Sequence, residues 1–552
     1  MNSGFNLTGD PWIPVVTAGG ERRLASILDV FTQGDRFADL AVRPHERIAL
    51  MRLLVCVVQA ALDGPVSDYD SPEETGRRIS EAVQAYLKKW WESFGLFHEK
   101  APFLQRKDIS KPPKKKDKGE SKSKKKTSRK SEKPSDEHVD GDFTSTSKLD
   151  FALATGNNST LFDHGGTSEQ GRAFTPAQQA LMLLTFQNFS PGGLIAQVRW
   201  KNVETSRTSN HAPCTPGSML HGFLRRENLY ATVRANLLSK ALIERVYGVE
   251  KWGMPIWESP PVGPDDTKAI ANSTSTYLGR LVPMSRLIRL RPDGAHILLG
   301  SGIIYLSYKD GGMREPSATE VAKKDGSGRT LLGASDRALW RELHALTLAR
   351  HNDVGGALTL LNIRNETAFD YWVGAFLTNK ATVLDTVESV FHVPAQMLDE
   401  KGYNAYNSGV RYAEAVEKRL NWAVATYREK VDGGWQGRLK SAGPKKGELL
   451  AQLRGHAARH YWTRLENHRD LLLRYVELFP SEDSLKALKN WQAVVNDAVR
   501  EAFRLVCGME TPRQMRAYAL GWDKLTIPVD NRSSEAESSS DEDDSLTQEE
   551  GA

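Results

Sequence analysis

The chain has 552 residues, enough for two to four domains, and its hydrophobic content of 39% supports folded cores. With 74 basic and 69 acidic side chains the net charge is +5, and the body of the chain is more basic than this total because an acidic run occupies residues 534–550. The three cysteines are scattered, which argues against a disulfide framework and a zinc site. The apolar run over 48–62 is short and contains an arginine, which argues against a membrane span, and the start has no signal-peptide pattern. We therefore expect a cytoplasmic protein.

The first hundred residues predict a small strand pair followed by helices. Residues 5–16 are typical of two strands around a turn, and residues 24–31 of a short helix. Pro44 suits the start of a helix over 45–62, where its missing N–H would be unpaired anyway. Another helix is predicted over 71–94.

Residues 106–148 are rich in lysine and almost devoid of apolar side chains. Such a segment cannot bury enough surface to offset the entropy of ordering it, so a disordered loop inserted in a folded domain is predicted. Two interpretations remain open: the loop orders on nucleic acid, or it is a solvated segment without a partner.

A Gly/Asn/Ser-rich loop over 149–171 carries the aromatic Phe162. Such an aromatic either stacks on a nucleic-acid base or fills a neighbouring core. A helix follows that is capped by Thr175 and stops at Ser190-Pro191-Gly192-Gly193. The two glycines permit positive φ and the close approach of another backbone, although a simple helix stop explains them as well.

Between residues 194 and 363 the pattern changes to short strands and turns with recurrent basic side chains. The predicted strands cover 194–200, 281–290, 296–306 and 357–363, and the predicted helices cover 218–238 and 336–350.

The stretch 374–384 joins an aromatic-rich segment to apolar side chains at helical spacing. A helix is therefore predicted through residues 383–391, with Thr378 or Asn379 as its cap. Lys380 would stand at the helix start, where its charge opposes the helix dipole. A nearby anion such as a nucleic-acid phosphate would account for that lysine, and the alternative is an ordinary solvated side chain.

From about residue 393 the pattern is almost wholly helical. Glycine or proline breakers separate predicted helical runs over 394–399, 409–431, 446–479, 482–507 and 511–522. Long helices with short connections favour an antiparallel four-helix bundle. The predicted fold class is α+β, with a mixed domain over 1–392, the bundle over 393–523 and a disordered acidic tail over 524–552.

Motifs for nucleotide binding, zinc proteases and nucleophile elbows are absent from the sequence. His456 and His460 are spaced to share a helix face, but a metal site needs three or four convergent ligands and no third ligand is evident. The neighbouring Asp163 and His164 lie in a loop without a nucleophile motif. We therefore expect a binding protein that has no catalytic residues, metal or cofactor.

Several short blocks stand in a specific order along residues 5–522. They are Phe5-Asn6-Leu7, Asp10 to Val15, Leu53 to Cys56, His98 to Gln105, Gly156-Asn157-Asn158, Thr160-Leu161-Phe162, Ser190 to Gly193, Asn362 to Asn365 and Thr378 to Ala381. In order and spacing these blocks resemble the CasA family, the large subunits of the type I-E CRISPR surveillance complex Cascade. A mixed N-terminal domain followed by a helical bundle agrees with the architecture of that family.

The resemblance implies that the chain reads the protospacer-adjacent motif (PAM) of double-stranded DNA from the minor groove. Gly192 and Gly193 match the glycine loop of the family. Asn379, Lys380 and Ala381 match a wedge that starts unwinding beneath the PAM. The family commonly carries glutamine where Lys380 stands, and lysine lacks the amide's capacity both to donate and to accept hydrogen bonds, so a different base preference is expected.

The resemblance also implies further partners. Phe162, with Asn157 and Asn158, matches a loop that contacts the 5′ handle of the guide RNA or a neighbouring subunit. Lys309 is assigned to a family lysine near the groove. The other expected partners are the remaining Cascade subunits and the CRISPR helicase-nuclease.

The physics of the minor groove agrees with this hypothesis, because its code is degenerate and a reader there tolerates several PAMs. A wedge must offset the lost base stacking with groove and phosphate contacts. The sequence thus favours a non-catalytic DNA-recognition subunit. The alternatives are a structural assembly subunit without base readout and a nuclease or hydrolase whose site is not recognised.

Overall fold

The computed structural model of the chain describes residues 4–64, 72–112, 143–152, 172–322, 328–330, 333, 337–347, 356–363, 366–379, 381–433 and 444–526. Residue contacts divide the chain into two compact units. The first comprises 1–339 with 345–392, and the second comprises 340–344 with 393–552.

The described part of the chain mixes helices with short strands. The strands are β1 (Ile13–Thr17), β2 (Arg22–Ala25), β3 (Phe37–Leu40), β4 (Ile109–Ser110), β5 (Thr144–Ser145), β6 (Gly193–Leu194), β7 (Arg199–Trp200), β8 (Val203–Glu204), β9 (Thr208–Ser209), β10 (His221–Arg225), β11 (Arg286–Leu290), β12 (His296–Ser301), β13 (Glu320–Ala322), β14 (Gly328–Thr330), β15 (Ala368–Asn379) and β16 (Thr382–Pro394). The helices are α1 (Ile27–Thr32), α2 (Pro44–Leu62), α3 (Pro72–Lys89), α4 (Pro176–Phe189), α5 (Leu229–Ala235), α6 (Lys240–Tyr247), α7 (Thr267–Ser275), α8 (Tyr277–Leu281), α9 (Leu343–Thr347), α10 (Glu400–Val431), α11 (Pro444–Glu466), α12 (Arg469–Leu478), α13 (Glu482–Val506) and α14 (Pro512–Leu525).

The described strands form several small sheets. Their orders are β2-β1-β3, β10-β15-β16, β11-β12-β5 and β4-β7-β8, with the two-stranded ribbons β13-β14 and β6-β9. In β10 and β15 the register pairs His221 with Gly374 and Arg225 with Asp370 in antiparallel fashion.

Helix α2 lies at the centre of the first unit's core. It packs against α3, α4, α5, α8 and β15. Its side chains from Ile48 to Gln59 are buried on every face, as expected of a helix that is surrounded on all sides. Pro44 occupies its first turn as predicted, and Glu46 accepts a hydrogen bond from the Arg43 backbone N–H at 2.9 Å.

Two buried arginines share one buried carboxylate beside α2. Arg52 Nη2 lies 2.5 Å from Glu315 Oε1, and Arg280 Nη2 lies 2.7 Å from Glu315 Oε2. Burial opposes ionisation of Glu315, but Arg280 and Arg52 hold its pKa below its ordinary value. Arg52 also donates to the Ser317 hydroxyl at 2.9 Å, and that hydroxyl lies 2.9 Å from Nδ1 of His221 at the start of β10. The network therefore links the core helix to the strand that pairs with β15.

The helix predicted through residues 383–391 is wrong, because these residues form β16. Strands β15 and β16 are joined by residues 380–381 and are neighbours in one sheet. Most of the apolar side chains that gave helical spacing are valine or phenylalanine, which are also strong strand formers, and pairing with β15 decides between the two structures. Across the two strands Trp372 Nε1 donates to the Glu388 carboxylate at 2.8 Å. The residues expected to cap a helix end β15 instead.

Several further predictions need correction. Two strands were expected within residues 5–16, but residues 5–12 contribute an isolated bridge of Asn6 with Gly95 in place of a strand, and β1 pairs with β2. Residues 218–238 contain β10 and α5, because Asn228 begins a new helix by accepting a hydrogen bond from the Ala231 N–H. Residues 358–362 form a 3₁₀ turn where a strand was expected. The lysine-rich loop is shorter than 106–148, since β4 and β5 lie at its two ends, and residues 113–142 are outside the described part of the chain.

The second unit contains helices α10 to α14, and their bounds correct the predicted helical runs. Helix α10 begins at Glu400 and not at 409, the run predicted over 446–479 is divided into α11 and α12, and the run predicted over 394–399 is a 3₁₀ turn, Ala395–Leu398. Helix α10 packs against α11, α12, α13 and α14. A Cβ added to Gly409 of α10 would lie 2.3 Å from Leu472 Cδ1, so the missing side chain lets α12 approach. The segment 340–344 belongs to this unit. Its Trp340 is buried against Trp491, and the Tyr406 hydroxyl donates to the Trp340 carbonyl at 2.8 Å.

His45 of α2 is buried among three phenylalanine rings. The centroid of its imidazole lies 5.0 Å from that of Phe376, 5.8 Å from that of Phe151 and 6.2 Å from that of Phe189. Neither ring nitrogen has a hydrogen-bond partner among the described residues. Burial, together with the charge of Arg43, lowers the pKa of His45 to about 3. The folded protein therefore keeps this imidazole neutral.

Because the pKa of His45 is lower in the folded chain, the unfolded chain binds a proton between pH 6.5 and pH 3 that the folded chain does not. The contribution of His45 to the free energy of unfolding is therefore fully present above pH 6.5. It is lost as the pH falls from 6.5 toward 3, by up to about 1.4 kcal/mol per pH unit. His221, with a pKa also lowered to about 3 by burial, contributes a second such proton. In chemical denaturation at several pH values, His45→Phe should reduce the slope of the unfolding free energy against pH by an amount that corresponds to one proton fewer taken up on unfolding. Equal slopes for wild type and His45→Phe would contradict this account.

Candidate nucleic-acid interface

Gly192, Gly193 and Ala381 line one cleft of about 450 Å³ in the first unit. The other residues that line it are Ser209, Asn210, His211, Pro216, Tyr305, Leu306, Ser307 and Asp310. The fold thus brings together a loop and a hairpin tip that are far apart in sequence. We call this space the glycine cleft.

Helix α4 leads into the glycine loop, residues 190–193. The helix begins as the sequence predicts, with the Thr175 hydroxyl accepting a hydrogen bond from the Gln178 N–H at 3.3 Å. Its last turn ends at Phe189, and Ala212 N–H donates to the Ser190 carbonyl at 2.8 Å. The loop is therefore held against the segment that follows β9.

Glycine is required at both positions of the loop. Gly193 pairs with Ser209 in the ribbon of β6 and β9 and has a φ of 125°, a conformation that side chains disfavour. A Cβ added to Gly192 would lie 2.9 Å from the carbonyl oxygen of Ser209. A side chain at Gly192 would therefore clash with its ribbon partner, whereas a side chain at Gly193 would be disfavoured by the backbone conformation.

The hairpin of β15 and β16 brings Ala381 to the same cleft. A Cβ added to Gly193 would lie 3.3 Å from the Ala381 Cβ, so the loop and the hairpin tip are in van der Waals reach. Near the tip the Ser218 hydroxyl accepts a hydrogen bond from the Thr378 N–H at 2.9 Å. This bond and the pairing of β15 with β10 fix the direction in which the hairpin points.

The remaining residues predicted for the site fall into two groups. Asn379 is the exposed last residue of β15, next to the tip, and Lys309 is exposed on the turn Tyr308–Asp310, whose Asp310 lines the cleft. The others lie outside the described residues; they are Lys380, Asn157, Asn158 and Phe162.

Arg286 joins the glycine loop to the segment after β9. Its buried guanidinium donates to the backbone carbonyls of Ser190, Pro191 and Asn210 at 3.3, 3.1 and 2.6 Å, and to the Ser190 hydroxyl at 2.9 Å. The partners of Arg286 in the described part of the chain are uncharged oxygens. Burial lowers the pKa of Arg286 to about 10, which leaves it cationic at neutral pH. A fixed positive charge behind the glycine loop favours an anion on the exposed side.

His211 holds the glycine loop from within the cleft. Its Nδ1 accepts a hydrogen bond from the Gly192 N–H at 3.1 Å, so Nδ1 carries no proton. Burial, with the charge of Arg286, lowers the pKa of His211. Both effects favour the neutral imidazole that this bond requires.

Sequence reasoning did not find Arg286 or His211 as parts of the site. Arg286 was only one of several basic residues near predicted strands, and its bond to Ser190 spans 96 positions. The one available signal was an arginine on the face of strand β11 that also carries Ile288 and Leu290, since the second arginine of the strand, Arg289, lies on the opposite face and is exposed. His211 lies in a loop without periodicity and gave no signal.

The described residues contain no group of three or more His, Cys, Asp or Glu side chains that could hold a metal ion. His456 and His460 are both exposed on α11, and the Asp163–His164 pair lies outside the described ranges. Across those ranges, the helices are all too short or too polar to cross a membrane.

The model of the family described as CRISPR-associated protein Cse1 matches residues 6–502. The chain belongs to this family. The resemblance to the CasA family, the large subunits of type I-E Cascade, is thereby confirmed.

Relatives support both the family and the fold. The CRISPR-associated protein CasA/Cse1 of Thermus thermophilus is 25% identical over 523 residues, which cover 91% of this chain and 92% of the relative. A crystal structure of CasA from Thermus thermophilus aligns with a TM-score of 0.71 at 24% identity, covering 95% of this chain and 98% of that chain. A chain from a structure of a CRISPR RNA-guided surveillance complex aligns with a TM-score of 0.65 at 17% identity, covering 95% and 100%.

Arg286→Met should lower the free energy of unfolding by about 2–4 kcal/mol, because it removes the buried charged donor that joins Ser190 and Pro191 to Asn210. Chemical denaturation measures this change. The matched control is Arg289→Met, an exposed position of the same strand, which should change the free energy by about 0.5 kcal/mol or less. Equal stability of the two variants would show that Arg286 does not hold the loops together.

Proposed function

We propose that this chain is the non-catalytic, PAM-reading large subunit of type I-E Cascade. The observation that carries the proposal is the glycine cleft, in which Gly192 and Gly193 stand beside Ala381 of the hairpin tip. Family membership supports the general role, and the cleft is the feature from which we argue the finer one.

Minor-groove reading would fall to the glycine loop. The groove of B-DNA is about 6 Å wide, so a backbone without side chains enters it most easily. Gly193 is exposed, and its neighbour Gly192 is locked by His211 and the β9 segment. The cationic Arg286 behind the loop favours the approach of phosphates without choosing among bases.

Duplex opening would fall to the hairpin tip, formed by Asn379, Lys380 and Ala381. A wedge needs a rigid support, because insertion between base pairs is opposed by stacking. Strand β15 is buried along most of its length and is paired on both sides, which supplies that support. A lysine at the tip would contact a phosphate or a base acceptor.

The other expected partners extend this proposal. Phe162, Asn157 and Asn158 would contact the guide RNA handle or a neighbouring subunit, and Lys309 would lie near the groove. The helical unit would act as the four-helix bundle of the family. We propose that the chain works in the cytoplasm with the other Cascade subunits and recruits the helicase-nuclease.

Gly193→Asp in the assembled complex should weaken binding to PAM-containing duplex by about tenfold or more, because a carboxylate would face the groove and its phosphates. The control is Gly20→Asp, which also has positive φ and is exposed with open space around it. Binding is measured on matched targets with and without the PAM. Retained PAM discrimination in Gly193→Asp would refute the groove assignment. A complex that gains no affinity from this chain at all would favour the assembly role instead.

Lys380→Ala should slow opening of the first target base pairs by about tenfold while changing initial binding less, since a wedge acts after the groove is engaged. Fluorescence of 2-aminopurine next to the PAM reports opening, and anisotropy reports binding. Lys380→Gln keeps a long polar side chain and should open DNA nearly as fast as wild type. Equal opening rates in Lys380→Ala and wild type would make this lysine a bystander.

A further inference from the structure

A second cleft, of about 650 Å³, lies beside the turn that borders the glycine cleft, and both clefts are lined by Leu306. Its volume falls in the range of about 300–1,000 Å³ that small-ligand pockets occupy. Its lining includes Arg245, Lys251, Arg280, Leu306, Tyr308 and Arg314. We call it the arginine cleft.

The lining of the arginine cleft is cationic. Four of its side chains are lysine or arginine, and no carboxylate stands among these described lining residues. Arg280 donates to the Thr274 carbonyl at 2.7 Å and to the Leu306 carbonyl at 3.3 Å, so it joins two walls of the cleft. Because Arg280 and Arg52 share the single carboxylate of Glu315, that buried group keeps an excess of positive charge. The turn's own carboxylate, Asp310, lines the other cleft.

The rim of the arginine cleft is apolar and aromatic. From Ile303 to Leu306 buried and exposed side chains alternate. Ile303 and Tyr305 are buried, and the Tyr305 hydroxyl accepts a hydrogen bond from the Met284 N–H at 2.9 Å. The outward positions Ile304, Leu306 and Tyr308 are 56%, 50% and 39% exposed. Three outward side chains in a row thus give an apolar edge ending in a tyrosine ring.

We propose that the arginine cleft binds single-stranded nucleic acid. Cations attract the phosphates, and exposed rings accept stacked bases from any sequence. A duplex satisfies only the first of these features, because its bases are already stacked on one another. The proposal that this cleft binds a single strand does not depend on the proposal that the chain reads the PAM. Only the identity of the strand, the one displaced at the hairpin tip, rests on the proposed function.

The test uses the full chain and a fluorescein-labelled oligo-dT of about 16 nucleotides. Lys251→Glu should weaken binding by about tenfold and reduce its salt dependence. The control Lys268→Glu changes an exposed lysine of α7 outside the cleft and should have little effect. Tyr308→Ala should weaken binding by about tenfold, whereas Tyr308→Phe keeps the ring and should bind normally. Equal losses in the two lysine variants, or no loss in Tyr308→Ala, would overturn the proposal.

Photo-crosslinking with 4-thiothymidine in the same oligonucleotide gives a readout specific to the site. The expected product is a crosslinked peptide from residues 245–251 or 311–314, which contribute to the lining of the arginine cleft and not to that of the glycine cleft. Crosslinks confined to the lysine-rich segment 113–142, or equally effective competition by duplex of the same length, would overturn the assignment. Gly193→Asp should leave oligo-dT binding unchanged. Failure of PAM reading and failure of strand binding are therefore distinguished.

Discussion

The single carboxylate of Glu315, shared by two buried arginines, is the interaction on which both clefts depend. Arg52 brings the central helix to this carboxylate, and Arg280 brings α8 and the wall around Leu306. Through a serine hydroxyl, Arg52 also reaches His221, at the start of the strand that pairs with the hairpin. Breaking such a buried ion pair by removing one partner typically costs about 3–5 kcal/mol. The same loss would therefore disturb the support of the hairpin tip and a wall of the second cleft together.

Fixed positive charge stands behind both clefts, but it is stabilised in two different ways. Arg286 is surrounded by neutral oxygens, whereas Arg52 and Arg280 divide one negative charge between them. Such buried cations are screened by salt less than surface lysines are. They are also held in one orientation by their hydrogen bonds. A surface built in this way presents positive charge at defined positions. Under the proposed function it would orient phosphates, and the choice of base would fall to the few groups that enter the groove.

The sequence predicted those elements whose signals are local. Pro44 and Thr175 mark the starts of α2 and α4, and sustained apolar periodicity marks the C-terminal helices. The hairpin was mistaken for a helix because its valines satisfy both periods, and the decision is made by pairing with strands elsewhere in the chain. The glycine loop and the hairpin tip entered the candidate site through family resemblance. Arg286 and His211 did not, because their roles consist of contacts between segments that sequence spacing does not relate.

Trp340 makes the core of the helical unit depend on two separate segments of the chain. The unit's main segment begins at Val393, yet Trp340 fills its core against Trp491 from a separate segment, 340–344. A fragment cut at Val393 would keep every long helix and lack this plug, and an empty tryptophan site in a core typically costs about 3–5 kcal/mol. Such a fragment would recover its core by binding a short peptide that carries Trp340, in the manner of fragment complementation. A boundary drawn on the sequence therefore differs from the boundary of the cooperative unit.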